Sequence, residues 1–184
     1  RADYFATLVK ESKGVEFPLA QGQTIDDLIA SLQPVIFDPT VDAKKVSQDS
    51  TKDLVTESAV NFYQGVTQEE VEKYYKSIAD KDDPTPISYG LNTRVVKKNG
   101  KVAEEIAFLN GLYGPAIEKI IYWLEKAAGV AENDQQRKVI EKLIEYYKTG
   151  DLEKFDEYNI LWVDDVESRV DFINGFIEVY SDPM

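Results

Sequence analysis

The 184-residue sequence contains no histidine and no cysteine. Without imidazole or thiol there is no Ser-His-Asp or Cys-His nucleophile system, since either the base or the nucleophile is missing. Ordinary zinc sites, which draw on imidazole and thiolate, are excluded, and so is every disulfide framework. Positive charge is scarce: 21 Lys and Arg against 34 Asp and Glu leave a formal charge of −13, a balance that argues against binding nucleic-acid phosphates. No apolar run approaches the roughly 18 residues that span a bilayer, and no stretch spells an EF-hand loop. Enzymatic chemistry in this chain has to use carboxylate, tyrosine or lysine, or groups supplied by another segment.

With 43% hydrophobic and 11% aromatic residues, the chain can bury a core and reads as a soluble globular chain, one domain or one large piece of something bigger. Residues 2–10 form a short helix in this reading, with Tyr4, Phe5, Leu8 and Val9 on one face. Thr24 caps a helix carrying Ile25, Leu28, Ile29 and Leu32, ending near Pro34. Asp38-Pro39 is a second start signal, an N-cap followed by proline. Thr67-Gln68-Glu69-Glu70 spells a capping box and opens a helix through Val71, Tyr74, Tyr75 and Ile78. Asn99-Gly100 lies between two β-like runs and predicts a tight hairpin.

Two long helices follow. The first spans about 115–128, with Ile117, Ile120, Ile121 and Leu124 on one stripe. The second is capped by Asn133, buries Val139, Ile140, Leu143, Ile144 and Tyr147, and stops at Gly150. A shorter helix over 152–162 precedes a strand over 171–180. The fold class is α+β, mainly helical with a small mixed or antiparallel sheet, whose hairpin needs further strands to be stable. Arg1 is not an initiator, nothing near it resembles a signal segment, and the last residues break off in strand and turn. Both ends are therefore expected to be cut.

In the closing strand, period two places Phe172, Asn174, Phe176, Glu178 and Tyr180 on one face, with Ile173, Gly175, Ile177 and Val179 on the core face. A carboxylate and a phenol two residues apart can bind an ammonium and donate to an oxyanion. A half-exposed strand with ordinary polar residues presents the same spacing. Arg94 is either an anion receptor or a structural tie. Asp164, Asp165 and Glu167 are either a metal or acid–base group or a solvated acidic loop. The pairs Tyr74-Tyr75, Tyr122-Trp123 and Tyr146-Tyr147 read as core aromatics with polar tips at its edge.

Several ordered blocks carry a resemblance. Ile160-Leu161-Trp162-Val163-Asp164-Asp165 and, after a spacer with Arg169, Phe176-Ile177-Glu178-Val179-Tyr180-Ser181-Asp182-Pro183 are similar to the dipeptidyl peptidase III family. Val35-Ile36-Phe37-Asp38-Pro39, Asn61-Phe62-Tyr63-Gln64-Gly65-Val66-Thr67, Pro86-Ile87-Ser88-Tyr89-Gly90-Leu91-Asn92-Thr93-Arg94 and Ile117-Glu118-Lys119-Ile120-Ile121-Tyr122-Trp123-Leu124 agree in order. The likeness covers about residues 25–183 and is nearest to the branch in Bacteroides-like bacteria. It implies a two-lobed zinc metallopeptidase that releases dipeptides from peptide N-termini with zinc-activated water. One lobe holds zinc on an HExxGH helix, while the other, a barrel-like sheet among helices, holds the peptide.

By this resemblance the chain is part of the second lobe, with 1–184 a single, partial, substrate-binding domain. Glu178 would bind the substrate's α-amino group, and Tyr180 would donate its phenol hydrogen to the oxyanion of the tetrahedral intermediate. HExxGH is absent, so no cofactor or metal is expected in this chain; zinc belongs to the parent enzyme, and the chain alone is expected to be inactive. The expected partners are an oligopeptide substrate and the zinc-binding lobe of the same protein, without nucleic acid or membrane. The expected compartment is the cytoplasm, with the periplasm as the alternative. Two rival readings stand beside this one: a stand-alone peptide-binding module without catalysis, and a carboxylate-only hydrolase pairing Glu178 with Asp164 or Asp165.

Overall fold

The computed structural model describes residues 1–41, 45–174 and 182–184. Among them, helices α1 (Ala2–Glu11) and α2 (Ile25–Phe37) come first, then strand β1 (Tyr63–Gln64), helix α3 (Gln68–Ile78) and strands β2 (Thr93–Lys98) and β3 (Lys101–Ile106). Helices α4 (Gly114–Ala128), α5 (Asp134–Thr149) and α6 (Leu152–Val163) complete the order. The architecture is α+β and mainly helical, as the patterning implies.

The capping signals form as read. Thr24 Oγ1 accepts the Asp27 amide at 3.1 Å while the Asp27 carboxylate accepts the Thr24 amide at 2.8 Å, which fills two of the orphan donors at the helix start. Thr67 and Glu70 repeat the arrangement at α3. Helix α2 does not end near Pro34 but runs to Phe37. A proline removes one amide donor, but its carbonyl still accepts, and here it takes the Asp38 amide at 2.9 Å. Asp38-Pro39 accordingly starts no helix. Asp38 ends α2, and its carboxylate accepts the Thr40 amide and hydroxyl in an Asx turn. No residue of α1 is buried, and Tyr4 and Leu8 face outward. The helix leans on α2 through Phe5, whose ring meets Phe37 edge-on at 5.8 Å.

The sheet has the order β1-β2-β3, with β1 parallel and β3 antiparallel to β2. Asn99 and Gly100 both take positive φ, 51° and 77°, which the two-residue hairpin turn requires. Val95 of β2 joins Val55, Val66 and Val71 in one buried cluster, against which Tyr63, Tyr75 and Val102 pack. Helix α5 is the hub of the helical layer. Its Ile140 and Ile144 meet Ile117 and Ile121 of α4. One step round the helix, Val139, Leu143 and Tyr146 meet Tyr158 of α6. Buried Asn92, just before β2, donates its side-chain amide to the Gly150 carbonyl at 2.9 Å and ties the sheet to the end of α5.

Two expectations fail in this layer. Tyr122 and Trp123 are not core: they stack edge-on to each other on the surface, with Trp123 68% exposed. The inward face of α4 is Ile117, Ile121 and Leu124, so positions 122 and 123 turn away from α5. The expected strand over 171–180 is absent over 171–174, and 175–180 lie outside the described residues. Ile173, expected in the core, is 83% exposed, whereas Phe172 packs against both helical clusters.

Candidate functional site

Glu178 and Tyr180 lie outside the described residues, so the geometry available is that of the chain on either side of them. Upstream, residues 169–174 are fastened to the helical layer. The Glu132 carboxylate accepts the amides of Val170 at 2.8 Å and Arg169 at 3.2 Å, and these bonds hold its pKa below the ordinary glutamate value. The Gln136 side chain donates to the Val170 carbonyl at 2.8 Å, and the Trp162 indole donates to Asp171 at 2.8 Å. Finally, the Tyr147 hydroxyl donates to Asn174 Oδ1 at 2.6 Å. Downstream, the Tyr63 hydroxyl of β1 donates to Asp182 Oδ1 at 2.7 Å. The same oxygen accepts the Met184 amide at 3.0 Å, and Pro183 is buried.

Sequence reasoning did not find these two tyrosines as partners of the C-terminal stretch. Burial pushes the Tyr147 phenol up, and burial together with Asp182 pushes the Tyr63 phenol well up. Both therefore remain protonated donors across the physiological range.

The other candidates resolve toward structural roles. Arg94 forks onto Glu105, its Nε 3.0 Å from Oε2, and Lys98 shares that carboxylate, so its charge is spent across the hairpin. Asp165 receives the Ser168 hydroxyl, Asp164 ends α6, and Asp164 and Glu167 face solvent in an acidic loop. A cluster missed from sequence gathers around Glu104. It accepts the hydroxyls of Tyr75 at 3.0 Å, Thr93 at 3.1 Å and Tyr74 at 3.3 Å. Burial and then Glu104 raise the Tyr74 phenol. The ligands of that cluster come from α3, β2 and β3, a convergence with no local sequence signature.

Two of the clefts among the described residues border the stretches at 63–73 and 170–172. One of about 680 Å³ lies beside β1 and the start of α3 and is lined by Tyr63, Val66, Glu70 and Lys97 among others. The other, of about 720 Å³, is apolar and lies between α4, α5 and the 170–172 stretch, with Ile120, Trp123 and Phe172 in its walls.

A zinc ion does not fit the residues present. The chain offers no imidazole or thiolate, and among the described residues no three carboxylates converge on a point where a metal could sit. No helix among the described residues is long and apolar enough to cross a membrane.

The family described as Peptidase family M49 matches residues 42–184, and the chain belongs to that family. Its relatives include the mouse protein Dipeptidyl peptidase 3, which is 27% identical over 178 residues covering 88% of this chain and 24% of that protein. The human Dipeptidyl peptidase 3 is 34% identical over 73 residues, 40% of this chain and 10% of the relative. The rat protein of the same name is 33% identical over 73 residues, with the same coverage. The chain thus spans about a quarter of the length of the mouse relative.

Proposed function

We propose that this chain is the peptide-holding part of a dipeptidyl peptidase, a hydrolase that removes dipeptides from the N-termini of short peptides. Membership of Peptidase family M49 across residues 42–184 is the observation that carries the reading. In it, Glu178 pairs with the free α-amino group of the substrate, and Tyr180 donates a hydrogen bond to the oxygen that gains charge at the scissile carbonyl. A charge-assisted carboxylate–ammonium contact fixes the peptide end and sets the cut two residues in. A neutral phenol aimed at the developing oxyanion favours the transition state over the ground state. The zinc expected of the parent enzyme would be held by residues outside this chain.

The test compares the 184-residue chain with a polypeptide extended to the length of the relatives, each incubated with short peptides and read by mass spectrometry. The longer protein is expected to release N-terminal dipeptides and to spare the N-acetylated peptide, which lacks the ammonium. The chain alone is expected to release none, with or without added zinc. Dipeptide release by the pure chain overturns its assignment as an inactive part, and failure of the longer protein to release dipeptides overturns the peptidase reading.

A further inference from the structure

We propose that the cleft lined by Tyr113 is a pocket for one bulky apolar side chain of an extended peptide; that the peptide is a substrate rests on the peptidase reading above. Among the described residues, Asn99 and Tyr113 are the non-glycine residues with positive φ. Asn99 sits in the hairpin turn, which requires that conformation. Tyr113, just before α4, has φ 61° and ψ 19°, a left-handed conformation that bulky side chains rarely adopt and glycine takes without strain. The glycines nearby stand where a side chain would collide. A Cβ at Gly111 would strike the Ile106 carbonyl oxygen, and one at Gly114 would lie 2.6 Å from that of Leu109. At Tyr113, where the backbone favours glycine, the chain carries a large ring instead. Its surroundings fix it there: the Tyr113 carbonyl accepts the amides of Ala116 at 2.9 Å and Ile117 at 3.0 Å, and the Leu112 amide reaches the Ile106 carbonyl at 2.8 Å. Strained residues persist only where they are held in this way, and they gather at binding sites.

The ring is not part of the core. It is 54% exposed, and its hydroxyl oxygen accepts the Asn61 side-chain amide at 3.3 Å on the surface. It lines a cleft of about 230 Å³ whose walls include the half-buried Phe62, Leu91 and Leu112. The polar side chains in those walls already have partners: Asn92 donates to Gly150, Thr93 to Glu104 and Arg94 to Glu105. An occupant therefore finds mainly apolar contact there, which selects an aliphatic or aromatic group, since a polar one would lose water without replacement. Whole small ligands occupy pockets of about 300–1,000 Å³. The smaller cleft suits a single side chain of a larger molecule, with the Tyr113 ring closing on it.

The test uses tetra-alanine and the four tetrapeptides that carry one phenylalanine in place of an alanine. Calorimetry measures their binding to the 184-residue chain, and kcat and KM are measured for the same peptides with the longer polypeptide. At least one phenylalanine peptide is expected to bind about tenfold more tightly than tetra-alanine, with the same preference in kcat/KM. Tyr113→Gly is expected to abolish the preference while its urea midpoint stays level or rises, because glycine relieves the backbone. Tyr113→Phe, which keeps the ring, and Trp123→Ala, which removes an aromatic exposed elsewhere, are expected to retain the preference. Wild-type protein without a phenylalanine preference overturns the pocket, as does a preference that survives Tyr113→Gly. A lower urea midpoint in Tyr113→Gly makes the ring a structural element and overturns the argument from strain. A binding preference without any dipeptide release by the longer polypeptide sinks the peptidase reading and leaves the pocket standing as a peptide-binding site.

Discussion

Replacing Gly150 with alanine probes the joint between the sheet and the helical layer. Gly150 ends α5 with φ of 73°, donates its amide to the Tyr146 carbonyl at 2.7 Å and accepts Asn92 at 2.9 Å. A Cβ there would stand 2.8 Å from Ile106 Cγ2 and 3.0 Å from Phe108 Cβ. The left-handed backbone costs a side chain about 1–2 kcal/mol. Forcing a methyl into packed surroundings costs about 1–3 kcal/mol more, and the two hydrogen bonds keep the backbone from swinging aside. Alanine also restricts the unfolded chain, which offsets about 0.4–1 kcal/mol. The expected net loss is about 2–4 kcal/mol. Gly22 supplies the control, since its φ is 81° with nothing within 4 Å of a Cβ, so Gly22→Ala is expected to cost about 1 kcal/mol or less. Urea unfolding followed by circular dichroism measures both, with the comparison resting on an unchanged m value. If the two variants fall within experimental error of each other, the crowding argument is wrong.

Other outcomes follow from the same geometry. Trp123→Ala is expected to cost under about 1 kcal/mol, because the indole sits on the surface, whereas Tyr158→Ala is expected to cost about 3–5 kcal/mol; similar urea midpoints for the two would contradict the burial of α6 against α5. Lys98 and Arg94 hold Glu105, and backbone amides hold Glu132, below the ordinary value of 4.5. Folded-state pKa values below the unfolded ones add stability that is complete above about pH 4.5 and lost as pH falls through the depressed values. The melting temperature should therefore drop on acidification below about pH 5, and less so in Glu132→Gln; an unchanged slope in that variant refutes its share. In the full-length protein, Tyr180→Phe is expected to lower kcat by about 10²–10³ with little change in KM. Glu178→Gln is expected to raise KM by about tenfold or more, and the reverse pattern would exchange the two roles.

Much of the helical layer was legible because its signals are local. A Thr and a Glu three residues apart name a helix start wherever they occur, and Asn99-Gly100 needs only its own two dihedrals to make a hairpin. Gly150 announces the end of α5 for the same reason. The misreadings fall where a pattern has two physical outcomes. Pro34 withholds one donor, which a helix tolerates when its other bonds survive, and Asp38 can close an Asx turn as readily as cap a helix. Tyr122-Trp123 fits a helix face without saying which face, and only the packing of Ile117 and Ile121 on α5 decides it. Strand β1 is two residues long, too short to show any alternation.

The candidate site divides along the same line. Glu178 and Tyr180 stand out because they sit in a contiguous block that resembles a family, and residues 42–184 match that family. Their spacing alone fits an ordinary half-exposed strand equally well. The phenol contacts to Asn174 and Asp182 are invisible to any local reading. Nothing about Tyr63 in a short parallel strand, or Tyr147 on a helix whose tyrosines read as core, points to residues 182 and 174. A hydroxyl finds such an acceptor only after two cores have formed and brought separate stretches of chain together. Local residue types can therefore suggest candidate groups, but contacts between distant stretches of chain depend on long-range packing. Tyr63→Phe keeps the ring against the valine cluster and removes only the bond to Asp182, so its urea midpoint measures that dependence.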